Sequence, residues 1–264
     1  MWSYLTFVQG VFMATTHSIG AHWLAPTWTL GVEEHFYLLI PVTIVFLPSR
    51  WLVPALISVG MASLGLRLAI FLGDGNAYIA YALLPGKADA LACGLLAASA
   101  FQADGIPWSR IIPVLRIAPI IILLACGLLH PASLPLFDAV MPLLIAIACS
   151  AYLLCIINGT PEARVYDSKT LQFFGNNGYC LYLSHLPVLG IMHGLILGTE
   201  PDLATSAQWL VTIAALPVCV LVGWGMTKLI EEPLTAYGRT WRWSTSTRHP
   251  STRHMRNQMR HMRN

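Results

Sequence analysis

Residues 28–41 read WTLGVEEHFYLLIP and set two carboxylates, Glu33 and Glu34, side by side in an apolar stretch. Arg67, Lys87 and Asp89 stand in stretches equally poor in charge, and His185 follows Tyr182 by three residues. These residue types suit acid–base chemistry at a hydroxyl. A carboxylate or imidazole can take a proton, and a cation can hold a developing oxyanion. Trp28 adds an aromatic plane, which serves either as an interfacial anchor or for stacking on a sugar.

The elements that must position these groups are membrane helices. Hydrophobic residues make up 56% of the 264-residue chain and charged residues 10%, with a mean hydropathy of +0.64. Soluble domains carry about 25% charged residues. Apolar stretches at 28–48, 51–73, 81–103, 111–130, 136–157, 173–198 and 207–230 are each long enough to cross a hydrocarbon core of about 30 Å. The expected fold is therefore an all-α, polytopic transmembrane bundle of about seven spans. Internal residues such as Pro41, Pro142, Pro187, Pro217, Gly94 and Gly127 do not exclude these helices, because neighbouring helices can satisfy the freed backbone groups. Residues 1–14 are apolar but short, and read as the outer end of a helix that begins elsewhere.

Of the 15 basic residues, all but Arg67 and Lys87 fall in or beside every second connection. The positive-inside rule then places residues 1–27 outside and the C-terminus in the cytoplasm. With that orientation Glu33, Glu34, Arg67, Lys87 and Asp89 share one depth near the outer third of the bilayer. A charge facing lipid alone is costly, so they are expected to converge on one polar cavity.

Several roles stay open for each of them. Adjacent helical residues point about 100° apart, so Glu33 is taken as the inward member and Glu34 as a partner that caps a helix, pairs with Arg67 or reaches the interface. Arg67 is either a structural counter-ion or a substrate contact. Lys87 and Asp89, two residues apart, do not face each other and are either structural or site residues. Tyr182 and His185 share a helix face, where His185 is either packed or handles protons. His35 and His193 are assigned to packing or the interface.

Residues 1–245 are expected to form the membrane domain and 246–264 a low-complexity basic tail. That tail is either simply disordered or weakly attracted to anionic lipid. The six cysteines lack CxxC spacing and fall in expected spans, so neither a metal site nor a disulfide framework is anticipated.

Residues 28–41 are similar to a signature of the membrane acyltransferase 3 family: tryptophan, serine or threonine, leucine, two residues, glutamate, then phenylalanine and tyrosine. GKADALACGLLAA at 86–98 resembles its basic-x-Asp-Ala-Leu-x-x-Gly motif, with Lys87 where arginine is commoner. GYCLYLSHLPVL at 178–189 and LIEEPL at 229–234 resemble its histidine-proline helix and its closing Glu-x-Pro element. Members O-acetylate bacterial surface polysaccharides, lipopolysaccharide O-antigen, Nod factors and macrolides.

The resemblance implies an enzyme of the bacterial inner membrane. It would transfer an acyl group, acetyl foremost, from acyl-CoA to a hydroxyl of a carbohydrate or lipid-linked glycan, with no permanently bound cofactor and no nucleic-acid partner. Glu33 would orient a histidine or the acceptor, and Lys87 would neutralise carbonyl or carboxylate charge. Asp89 would fix Lys87 or bind sugar hydroxyls. Arg110, Arg116 and Arg164 either meet CoA phosphates or simply follow the positive-inside rule. Family members carry about ten spans and an early basic-x10-His pair that has no counterpart here, so the chain is expected to be N-terminally truncated; His17 and His22 are weak substitutes. The alternatives are a transporter or carrier, whose buried charges would look the same, and a non-catalytic remnant.

Overall fold

The structure, a computed structural model, describes residues 2–73, 75–129 and 135–240. The tail expected at 246–264 lies outside the described residues. Every regular element among the described residues is helical: α1 (Trp2–Leu5), α2 (Gln9–Thr16), α3 (Thr27–Phe46), α4 (Ser49–Leu72), α5 (Ala77–Ala82), α6 (Leu84–Gln102), α7 (Trp108–Leu129), α8 (Pro135–Ile157), α9 (Lys169–Leu197), α10 (Ser206–Met226) and α11 (Glu232–Thr240). A π turn, Thr227–Glu231, joins α10 to α11, and 3-10 turns cover His22–Leu24 and Pro161–Asp167.

The boundaries follow local chemistry. The side chains of Asn76, Ser168 and Thr205 accept hydrogen bonds from the first free N–H groups of α5, α9 and α10, and Gln208 completes a capping box with Thr205. Gly198 ends α9 with the left-handed φ of 66° that glycine adopts readily. Seven helical stretches are long and apolar enough to cross a membrane: His22–Phe46, Ser49–Leu72, Ala77–Gln102, Trp108–Leu129, Pro135–Ile157, Lys169–Leu197 and Ser206–Thr240.

The third stretch corrects the expectation of one continuous helix over 81–103. Leu83 is extended (φ −108°, ψ 148°) and splits α5 from α6. Pro85 cannot donate to the Tyr81 carbonyl and its ring would collide with it, so the helix stops and restarts with the proline in its first turn.

The chain divides into two compact units, Met1–Ala163 and Arg164–Asn264. In the first, α4 packs on α6 and α8, α7 packs on α8, and α2 lies against α5. Gly10 abuts the Ala82 carbonyl, and Asn76 Nδ2 donates to the Ala14 carbonyl at 2.5 Å. These two contacts make α2 antiparallel to α5. Gln9, almost fully enclosed, accepts from Thr27 and so ties α2 to the start of α3. In the second unit α9 and α10 pair along their length, and Gly223 lets α10 approach Leu181.

Beyond the spans, Glu162 pairs with Arg116 of α7. Its own backbone N–H and then the Arg116 guanidinium hold its carboxyl below the ordinary carboxylate range. A lowered acid contributes at any pH above its ordinary value and loses that contribution as pH falls through the lowered one. Protection factors in Pro161–Asp167, which remove the intrinsic pH dependence of exchange, are expected to stay constant from neutrality through mildly acidic pH and to fall only in stronger acid, and Glu162→Gln should abolish the transition. Gly10→Ala would drive a methyl into the Ala82 carbonyl, an overpacking worth about 1–3 kcal/mol. Its expected signature is faster exchange of α2 amides with α7 and α8 unchanged.

Candidate active site

Arg67 lies on the face of α4 that meets both α6 and α8. Its Nε donates to the Ala139 carbonyl at 2.7 Å, and its Nη1 to the Gly86 carbonyl and to Asp89 Oδ1, each at 2.7 Å. Nη2 pairs with Asp89 Oδ2, making the contact bidentate. Ser63, one turn earlier on α4, donates to Asp89 Oδ1 at 3.3 Å. The Arg67 and Asp89 side chains are both completely enclosed.

Two small residues make this possible. A Cβ on Gly86 would overlap the Ala80 carbonyl, so only glycine lets the α6 backbone come close enough to offer its oxygen. Ala139 is fully buried, and its short side chain lets the Arg67 guanidinium reach the α8 backbone.

Lys87 points elsewhere. Its ammonium lies 5.1 Å from the centroid of the Tyr81 ring, and no carboxylate or hydrogen-bond acceptor meets it among the described residues. Asp138 and Arg67 are close enough to act on Tyr81 electrostatically. Lys87 is half-buried, in the first turn of α6, directly after the break in the third span.

Glu33 and Glu34 do not join this cluster. The packed face of α3 is formed by Gly31, set against the Phe7 carbonyl, and buried Val32, with Trp28 and His35 lining a shallow cleft beside Leu83. Glu33, expected to be the inward member, stands about half a turn from that face. Both glutamates are half-buried, and neither makes a hydrogen bond or ion pair among the described residues. The expected single cavity of five charges is therefore a closed Arg67–Asp89 pair, an adjacent open Lys87 and two separate glutamates. Each nitrogen of the Arg67 guanidinium is bonded to the protein, and none of them meets Glu34 among the described residues.

In the second unit the Tyr182 and His185 rings lie 5.7 Å apart on α9. His185 Nδ1 donates to the Tyr182 carbonyl at 2.6 Å. A carbonyl only accepts, so the neutral ring keeps its proton on Nδ1 and carries its lone pair on Nε2. One turn away, Glu231 accepts from Cys180 Sγ at 3.2 Å and from Thr227 Oγ1 at 3.5 Å, which joins the 178–189 and 229–234 motifs directly. His193 is fully buried with its Nε2 3.0 Å from Thr212 Oγ1, as the packing assignment requires.

The family model described as an acyltransferase domain, acyltransferase 3, matches residues 2–228. The chain belongs to the acyltransferase 3 family. No curated protein and no solved structure matches it. Membership makes the chain an acyltransferase by family, and with its seven apolar helical stretches a multi-pass integral membrane protein.

Within this acyltransferase fold, Ser63, Tyr81 and Asp138 carry no role in the sequence reading, and Glu231 enters it only as part of the Glu-x-Pro element. Ser63 was findable, four residues before Arg67 on the same helical face, and so was Asp138, a lone acid at the end of the fifth span. Glu231 reaches Cys180 through a π turn that no residue pattern announces.

Removing one member of a buried ion pair strands the other and costs about 3–5 kcal/mol. Asp89→Asn is expected to lose stability of that order in detergent unfolding. The double variant Arg67→Met/Asp89→Leu should lose less than the two single changes combined. Additive losses around that cycle would show that the pair is uncoupled.

Proposed function

We propose that this chain transfers an acyl group, acetyl in the simplest case, from acyl-CoA to a hydroxyl of a surface carbohydrate or lipid-linked glycan at the inner membrane of a bacterium. The observation that carries the reading, given the family, is the His185 ring, whose Nδ1 bond to the Tyr182 carbonyl leaves Nε2 as the basic nitrogen. The acceptor oxygen attacks the thioester carbonyl while its proton passes to a base. The tetrahedral oxyanion then collapses, expelling the CoA thiolate, which takes up the proton.

His185 is suited to the base, with Tyr182 beside it for the acceptor. In the first unit, Lys87 meets no carboxylate among the described residues and is suited to holding negative charge on a substrate. Glu33 and Glu34, which make no hydrogen bond or ion pair among the described residues, are suited to orienting hydroxyls, and Trp28 to stacking on a sugar ring. Arg67 and Asp89 support Lys87 from behind as scaffold. The basic connections favour a cytoplasmic C-terminus, which sets the acyl-CoA and the acceptor on opposite sides of the bilayer.

The test is transfer of radiolabel from acetyl-CoA to a glycan acceptor by the protein in proteoliposomes. Losing a general base costs about 10²–10⁴-fold in rate, so His185→Gln should reduce transfer at least a hundredfold with the fold intact. Lys87→Met and Glu33→Gln are each expected to lower it about tenfold or more, in line with removal of one charge contact. Unchanged transfer in His185→Gln would remove His185 from the mechanism. Uptake of acceptor into vesicles without consumption of acetyl-CoA would favour a carrier.

A further inference from the structure

Ser206–Thr240 runs as 35 residues of unbroken helix. At 1.5 Å per residue that is about 50 Å, against about 30 Å of hydrocarbon. Tilting to the usual limit of about 40° does not absorb the difference. The 21 residues of α10 already match the core, so the π turn and α11 extend past it.

All nine residues of α11 are exposed, and their order is amphipathic. Pro233, Leu234 and Tyr237 fall on one face, with Leu234 65% and Tyr237 64% exposed. Glu232, Thr235 and Arg239 fall on the other. Glu232 is neutralised within the helix by Lys228, so Arg239 sets the sign of the polar face. The sequence beyond Thr240 continues that sign, with six arginines, three histidines and no acid. A helix standing upright in water would leave Leu234 and Tyr237 wetted, whereas a helix lying in the interface would bury them. A π turn is a place where helices bend.

We propose that α11 lies in the membrane interface, with Leu234 and Tyr237 toward the acyl chains and Arg239 at anionic lipid headgroups. Helices of this pattern bind through apolar burial plus attraction to negative lipid. The inference does not depend on which acceptor the enzyme uses.

The test is hydrogen–deuterium exchange of the full chain in nanodiscs of phosphatidylcholine alone or mixed with phosphatidylglycerol. Amides of α11 should exchange about tenfold or more slowly in the anionic discs, and high salt should erase the difference by screening. Leu234→Ser/Tyr237→Ser should erase it as well, while α9 and α10 keep their protection and show that the variant is folded. Equal exchange in the two lipids overturns the proposal. So does slower exchange in anionic discs that the double substitution leaves untouched.

Discussion

A guanidinium enclosed by apolar helices has no water to turn to, so every donor must find protein. Arg67 meets this demand with one carboxylate and two backbone carbonyls drawn from two other helices. The cost of leaving any of those donors unmet fixes the relative registers of α4, α6 and α8. It also explains residues with no polar atom of their own in the side chain. Gly86 must lack a Cβ, Ala139 must be small, and the α6 backbone must pass close to α5.

The same constraint shapes the interrupted third span. Pro85 ends one helix and begins another, and the restarted helix brings the Gly86 carbonyl and the Asp89 carboxylate to Arg67 within a single turn. Lys87 lies between them in sequence and projects from a different side of α6. Two residues along a helix turn a side chain by about 200°, so the ion pair that closes the scaffold also keeps Lys87 out of it. Asp89 turns its two oxygens to Arg67 and Ser63, and Lys87 projects away from them toward the Tyr81 ring.

Much of this was legible in the sequence, and the remainder was hidden for identifiable reasons. The spans follow from hydropathy, and a meeting of charges at one depth was legible too. The partners it suggested were Glu34 for Arg67 and Lys87 for Asp89, not Arg67 and Asp89 for each other. Backbone acceptors leave no trace in composition, so the Gly86 and Ala139 carbonyls could not be foreseen and glutamates seemed the natural partners for Arg67. Residues 28, 31, 32 and 35 carry the i, i+3, i+4, i+7 spacing of a packed helical face. That stripe marked the contact side of α3 more reliably than the charge of Glu33 did. The break at Leu83 was signalled by the Pro85–Gly86 pair but masked by uninterrupted apolarity.

Two kinds of polar group stand out in these spans, and the distinction bears on chemistry more than their charge does. Arg67 and Asp89, like Glu231 with Cys180 and Thr227, have their bonds completed by protein, and a substrate could reach the ion pair only by breaking it. Lys87 and His185 are each held on one side and open on the other: the lysine by an aromatic face, the histidine by a carbonyl that fixes its tautomer. This combination suits a group that takes a proton or holds developing charge, because a fully satisfied group has nothing left to offer a transition state. Asp89 sits in the same motif as Lys87 but is closed, which makes the lysine the member of that motif able to meet a substrate.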